Sequence, residues 1–246
     1  MFKRGRLRGV FNVLAVCLAA TSFVGCKNTN FYSTRDEVRM GRDASKEIEK
    51  EYRVDTDSAD AKRVQRISER VLAHIDVRPG VPYTVKVLDL KDVNAVSLPG
   101  GPLYIFRGLL DLVGDDDDAL ACVIGHEIGH INGRHAAKQM SQQMAANLGL
   151  ILLARGGSGG NVAGLVSNML SLSYSRDDEF ESDRRGLSYA FKAGFDPNGL
   201  VRFFEKLDAL EKRGGPPEFL RTHPVTKARI RVAQQLIETN DYKYGK

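Results

Sequence analysis

The chain has 246 residues, with 36 Lys and Arg against 31 Asp and Glu and a formal net charge of +5. Four of the basic residues, Lys3, Arg4, Arg6 and Arg8, fall in the first 25 positions, which hold no acidic residue; without them 32 basic side chains face 31 acidic ones, so the excess belongs to a targeting segment and offers nothing to a nucleic acid. With 42% hydrophobic and 27% charged residues the rest can bury a core without metal or disulfide staples and lacks the composition of a disordered chain, so one globular domain is expected.

Residues 1–25 read as a lipoprotein signal peptide. A basic start is followed by an uncharged, mostly apolar run from Val10 to Val24, shorter than the roughly 20 residues that a membrane-spanning helix needs. The run ends in Phe23-Val24-Gly25-Cys26, which resembles the bacterial lipobox with Phe23 in place of the usual Leu. Cys26 is then the lipidated residue. An uncleaved N-terminal anchor is the alternative, and either places the rest of the chain across the membrane. Lys27 stands where that resemblance associates Asp with inner-membrane retention, which favours the outer membrane. Cys17 is lost with the signal and Cys26 is acylated, leaving Cys122 without a disulfide partner, in an apolar helical stretch where a buried, inert thiol is expected.

Residues 26–35 read as a tether and residues 36–246 as the folded domain. Asp36 to Val54 and Ser58 to Val77 carry helical periodicity, the second with a stripe of Val64, Ile67, Val71, Leu72 and Ile75. After the Arg78-Pro79-Gly80 turn, Val81–Leu88, Val93–Leu98 and Leu103–Phe106 alternate as strands, the last two joined through Pro99-Gly100-Gly101-Pro102. From Gly108 the pattern is helical, broken at Gly156–Gly160, Gly194–Pro197 and Gly214–Pro217. Two apolar segments, Leu148–Ala154 and Val162–Leu172, read either as a buried helical hairpin or as a mobile lid. Asp115–Asp118 supplies caps for the helix after it; the spacing of a calcium loop is missing. No internal repeat is present. The class is α+β, a small sheet set into a helical body.

The chemistry concentrates at His126-Glu127-Ile128-Gly129-His130. On a helix His126 and His130 lie about 40° apart around the axis, so both imidazoles reach one ion, while Glu127 lies beside it. Zinc held by neutral nitrogens with an open position brings a water to a pKa near 7, and a carboxylate can deprotonate it. A metzincin would place a third histidine at position 136, which is Ala136; His135, one residue short, is turned by about 100° and reads as a hydrogen-bonding or surface residue. A carboxylate ligand from a later helix is the alternative, and Asp177–Asp183 is the richest source. Glu179 and Asp183, four apart, share a face from which one could bind the ion and the other orient a histidine, whereas Glu181 points about 160° away from Glu179.

These motifs, together with three others in order, resemble the HtpX and CaaX-prenyl-protease superfamily of zinc metallopeptidases, and within it the BepA/LoiP type of periplasmic or lipoprotein peptidase. The others are Asn94-Ala95-Val96-Ser97-Leu98-Pro99-Gly100-Gly101, then Tyr174-Ser175-Arg176 with Glu179–Asp183 (Ser182 where Ala is usual), then Thr222-His223-Pro224 with Arg229-Ile230 after it. The resemblance covers most of residues 36–237. It implies a mostly helical, zincin-like domain whose small sheet carries an edge strand beside the site, and one Zn2+ per chain held by His126, His130 and Glu179. Asp183 would orient a ligand, Glu127 would be the general base, and Asn94, Ala95 and Val96 would pair with an extended substrate. His223 would stabilise the oxyanion or sit on zinc in a resting state; read from its residues alone it is a helix-entry histidine before Pro224. The implied activity is endopeptidase cleavage of unfolded or misassembled envelope proteins, with a lipid anchor to the membrane and no nucleic acid. An assembly chaperone or adaptor with a structural or latent zinc is the rival reading.

Overall fold

The computed structural model describes residues 30–154 and 169–240, with side chains through residue 145 and from residue 169. The signal segment, Cys26, the Gly156–Gly160 break and residues 162–168 of the second apolar segment lie outside these described residues, and of Leu148–Ala154 only the helical backbone is described.

Helix α1 (Thr34–Glu51) starts inside the segment read as tether, because Ser33 and Asp36 form a reciprocal capping box that satisfies the first free amides. Phe31 and Tyr32, just before it, are docked rather than free: the Phe31 amide donates to Ser141 Oγ at 3.0 Å, and the Tyr32 carbonyl accepts from Arg134. α1 also ends before Val54, because Val54 and Asp55 form a short strand, β1 (Val54–Asp55), against Leu88 and Val87. Helix α2 (Ala59–Leu72), capped by Ser58, stops short of the expected Val77. The chain beyond it is taken up by partners elsewhere: Asn132 Nδ2 donates to the Asp76 carbonyl at 3.0 Å, and Arg78 Nη1 to the Ile131 carbonyl at 2.6 Å.

Strands β2 (Thr84–Leu88), β3 (Ala95–Ser97) and β4 (Pro102–Phe106) join β1 in one sheet of order β1-β2-β4-β3. β2 and β4 run parallel; β3 and β4 are the antiparallel hairpin that the alternation and the Pro-Gly-Gly turn predict. Gly100, at φ +74°, lies so close to the α1 backbone that a side chain there would overlap Val38. α3 (Arg107–Val113) comes directly after β4, then α4 (Asp117–Gly133), α5 (His135–Ala154), α6 (Arg176–Lys192), α7 (Asn198–Gly214), the short α8 (Glu218–Thr222) and α9 (Lys227–Thr239). Each sheet face has its own core. Val87, Ala95, Leu103 and Ile105 pack with α2, α4, α6 and α7, while Leu88, Val96, Leu98, Tyr104 and Phe106 pack with Ala44 and Ile48 of α1 and with Met140 and Met169. The fold is mostly helical α+β, with β3 at one edge of the sheet. Among the described residues no helix is long and apolar enough to cross a membrane.

Candidate metal centre

α4 is buried on all sides from Ala119 to Ile131, as suits the central helix of a domain. Its N-terminus is capped by Asp116, which accepts from the Ala119 amide at 3.0 Å. Cys122, on this helix, is buried and free, its thiol pushed up out of the titration range by burial. α6 opens with a second capping box, Ser175 with Asp178. The two helices meet backbone to backbone: a Cβ on Gly186 would lie 2.7 Å from the His126 nitrogen, and one on Gly129 2.9 Å from Ser182 Cα. Only residues without bulk permit that approach, and it carries Glu179 and Asp183 of α6 up to His126 and His130 of α4.

Together with His223 these residues form a buried cluster. One donor atom each from His126, His130, Glu179 and His223 lies within 4.8 Å of the others. His126 Nε2 and His130 Nε2 are 3.0 Å apart; Glu179 reaches them at 3.7 and 3.4 Å, and His223 Nδ1 lies 3.4 Å from His126 Nε2 and 3.0 Å from Glu179 Oε1. For metal–nitrogen bonds of about 2.05 Å, tetrahedral ligands are separated by roughly 3.3 Å, so the donors suit zinc in type and spacing. Glu127 flanks the cluster. Both its carboxylate oxygens are buried without a hydrogen-bond partner among the described residues, and His223 Nε2 is 3.5 Å from one of them.

The groups behind the donors hold them in a metal-ready state. Asp183 Oδ1 sits 2.9 Å from His126 Nδ1, on the far side of the ring from the cluster. Arg229 grips Asp183 through Nε at 2.8 Å and Nη2 at 2.7 Å, and its Nη1 reaches Glu179. Burial raises the Asp183 carboxyl, but the charge and hydrogen bonds of Arg229, together with His126, outweigh it and hold the group below its ordinary range. Burial likewise opposes ionisation of Glu179, and His223 and His130 overcome it, so Glu179 is held well below the ordinary carboxylate value. Burial drives His130 the other way, well below the usual histidine value, which leaves it the neutral donor that a metal requires. His223 is raised: burial pushes it down, but the facing Glu179 and Glu127 prevail. Tyr174 stacks on His130 at 3.9 Å between ring centres, and Phe219 stacks on His223 at 4.6 Å.

His126, Glu127, His130, Glu179 and Asp183 thus converge as their spacing predicts, and Glu181 stays at the surface with Arg185. His223 is no helix-entry residue. It closes α8, its amide bonded to the Phe219 carbonyl at 2.7 Å, and α9 begins later, after Thr226. Asn94, Ala95 and Val96 lead into and form β3 at the sheet edge, but all three are buried; the Asn94 side chain accepts from the Ala95 amide rather than facing outward. Sequence reasoning places Tyr174 and Arg229 in motifs without giving either a role, and passes over the small residues that let α4 and α6 touch. The second signal is readable: Gly125, Gly129 and Gly133 recur at four-residue spacing, as do Ser182 and Gly186.

A family profile described as Peptidase family M48 matches residues 58–237. Among individual proteins, the chain is 32% identical over 205 residues to "Mitochondrial metalloendopeptidase OMA1" of Schizosaccharomyces pombe, covering 81% of this chain and 60% of that one. It is 29% identical over 184 residues to "Beta-barrel assembly-enhancing protease" of Escherichia coli K12, 70% of this chain and 37% of that one. The Saccharomyces cerevisiae protein of the same name as the first is 36% identical over 159 residues, 61% of this chain and 46% of its own length. The chain therefore spans less than two thirds of each of these relatives.

Proposed function

The chain belongs to peptidase family M48, whose members are zinc metallopeptidases, and on that premise we propose that it is an endopeptidase of the bacterial cell envelope that cuts misfolded or misassembled proteins. The observation that carries the reading is the pairing of a buried His126, His130 and Glu179 donor set with a Glu127 carboxylate that no protein group satisfies among the described residues. Zinc held by His126, His130 and Glu179 would supply Lewis acidity toward a peptide carbonyl and would lower the pKa of a water there to about 7. Glu127 takes a proton from the attacking water at one carboxylate oxygen and returns it to the departing amine. Asp183, held by Arg229, keeps the His126 ring turned so that Nε2 faces the cluster.

β3 is the strand on which an extended substrate would align, through backbone pairing at Ala95 and Val96 that gives modest sequence selectivity. His223 occupies the fourth donor position, which favours the resting-state reading over the oxyanion role: it would have to leave for a substrate carbonyl to enter. The same observation keeps the chaperone reading alive, since structural zinc sites are closed. We assign the enzyme to the periplasm, anchored to the outer membrane through a lipidated Cys26, from the signal-like N-terminus and the likeness to the beta-barrel assembly-enhancing protease.

The test compares casein degradation by the zinc-loaded wild type, Glu127→Gln and His223→Ala. Glu127→Gln should retain zinc and lose about 10²- to 10⁴-fold in kcat. His223→Ala should cleave faster than wild type. A chain that holds zinc but cleaves nothing in any of the three forms would turn the assignment to the chaperone.

A further inference from the structure

The two histidines of the zinc motif are backed differently, and the difference is built by three consecutive residues that the peptidase reading leaves without a task. His126 rests directly on the Asp183 carboxylate. His130 rests on another imidazole: His130 Nδ1 and His135 Nδ1 are 2.9 Å apart, in a pocket from which both rings exclude solvent. His135 reaches that place by an abrupt reversal. Arg134 ends α4 in the left-handed region, at φ 59° and ψ 29°, a conformation unfavourable for a residue with a side chain. Its guanidinium is held by Glu37, itself buried and also paired with Arg78 at 3.0 Å. The turn folds His135 back against the helix it has just left, and Gly133 makes the room: a methyl group on Gly133 would overlap the His135 ring.

The hydrogen-bond roles are dictated by the cluster. His130 presents Nε2 to the donor set, 3.4 Å from Glu179, so as a neutral imidazole ligand it carries its proton on Nδ1. His135 Nδ1 is then the acceptor, which assigns the His135 proton to Nε2; Asp178 at 3.3 Å and Glu181 at 3.5 Å are the carboxylates near that nitrogen, although neither makes a hydrogen bond to it among the described residues. Ser182 Oγ, at 3.4 Å, is a longer contact to the same Nδ1. We propose that His135 is a positioning residue for the metal, whose Nδ1 holds His130 in the Nε2-ligating tautomer and strengthens it as a donor, with Gly133 and the Glu37-braced turn at Arg134 serving to place that ring. The proposal rests on the metal reading above and extends it to residues outside the zinc motif.

The experiment measures zinc affinity by competition with a chelating fluorophore, together with the thermal midpoint of the metal-free protein, for the full chain and two variants. His135→Phe fills the space and cannot accept a proton; it should bind zinc about 10- to 100-fold more weakly, the usual cost of losing a group that orients a ligand. His135→Asn offers Oδ1 where Nδ1 stood and should recover most of that loss. Equal zinc affinity in His135→Phe and wild type, or an equal loss in the Phe and Asn variants, overturns the proposal and leaves the metal site standing. A wild type that binds no zinc overturns the metal reading and this proposal with it. Should His135→Phe fail to fold, the nitrogen-15 spectrum of imidazoles in the zinc-loaded wild type decides: a proton on His130 Nδ1 bonded to a second imidazole is expected, and ligation of zinc through His130 Nδ1 would refute it.

Discussion

Two acidic runs in this chain look alike as strings of residues, and each lies at the N-terminus of a long helix. Asp115–Asp118 precedes and opens α4; Asp177–Asp183 opens α6. The first stays at the surface. Asp116 caps the helix and pairs with Arg202 at 2.8 Å, Asp117 meets Arg63 at 2.6 Å and Arg66 at 3.0 Å, and Asp118 meets Arg202 at 3.2 Å. The second run divides. Asp178 caps and Glu181 pairs with Arg185, whereas Glu179 and Asp183, each about 1% exposed, point into the protein toward the histidines. A carboxylate at the surface contributes roughly 0–1 kcal/mol through an ion pair; one that is buried is retained only with partners that offset its desolvation. Both runs are densely acidic, and what separates them is which face of the helix meets its neighbour.

Three substitutions probe that contrast, in falling order of effect. Glu179→Ala removes a donor from the cluster. Its zinc content after dialysis should fall below about one tenth per chain, with casein cleavage at least about 10³-fold down, the order lost when catalytic machinery is removed. Metal analysis showing one zinc per chain would mean that the ligand is another group. Asp183→Asn should destabilise the metal-free fold by about 3 kcal/mol in urea unfolding, because Arg229 stays buried with one carboxylate fewer. A loss under about 1 kcal/mol would place this pair in the same class as the surface ones.

Asp116→Asn is the counterpart in the first run. The amide still caps α4, so only the Arg202 pair is lost, at a cost of about 1 kcal/mol or less. Its pH dependence has a definite sign. The Arg202 hydrogen bond holds the Asp116 carboxyl below its ordinary value, with partial burial working against it. A folded-state pKa below the unfolded one gives stability that is present in full above about pH 4 and disappears as the pH falls through the folded value. The stability gap between wild type and Asp116→Asn should therefore close below about pH 4; a gap unchanged at about pH 3 would show that the pair is not what the substitution removed.

Much of the site was legible because its parts are local. Helical periodicity alone puts His126 and His130 on one face, sets Glu127 beside them, excludes His135 as a third ligand of metzincin type, and aligns Glu179 with Asp183 while turning Glu181 away. The β3–β4 hairpin was legible for the same reason, since alternation and a Pro-Gly-Gly turn are short-range signals. The parallel pairing of β2 with β4 and the two-residue strand β1 were not, because each depends on a partner distant in the chain.

What the amino-acid sequence determined by itself, then, is that His126 and His130 share one helix face and that Glu179 and Asp183 share another, since backbone geometry dictates both; which carboxylate binds the ion came only from the family resemblance. Tertiary structure decided everything that joins one helix to another. It brought Arg229 from α9 to Asp183 and Glu179, set the rings of Tyr174 and Phe219 against His130 and His223, and put His223 Nδ1 into the fourth donor position. It also folded His135 back under His130, through a left-handed turn at Arg134 that helical periodicity does not foresee. These contacts depend on how closely α4 and α6 approach, and that distance is set by packing between backbones rather than by any local preference of the chain.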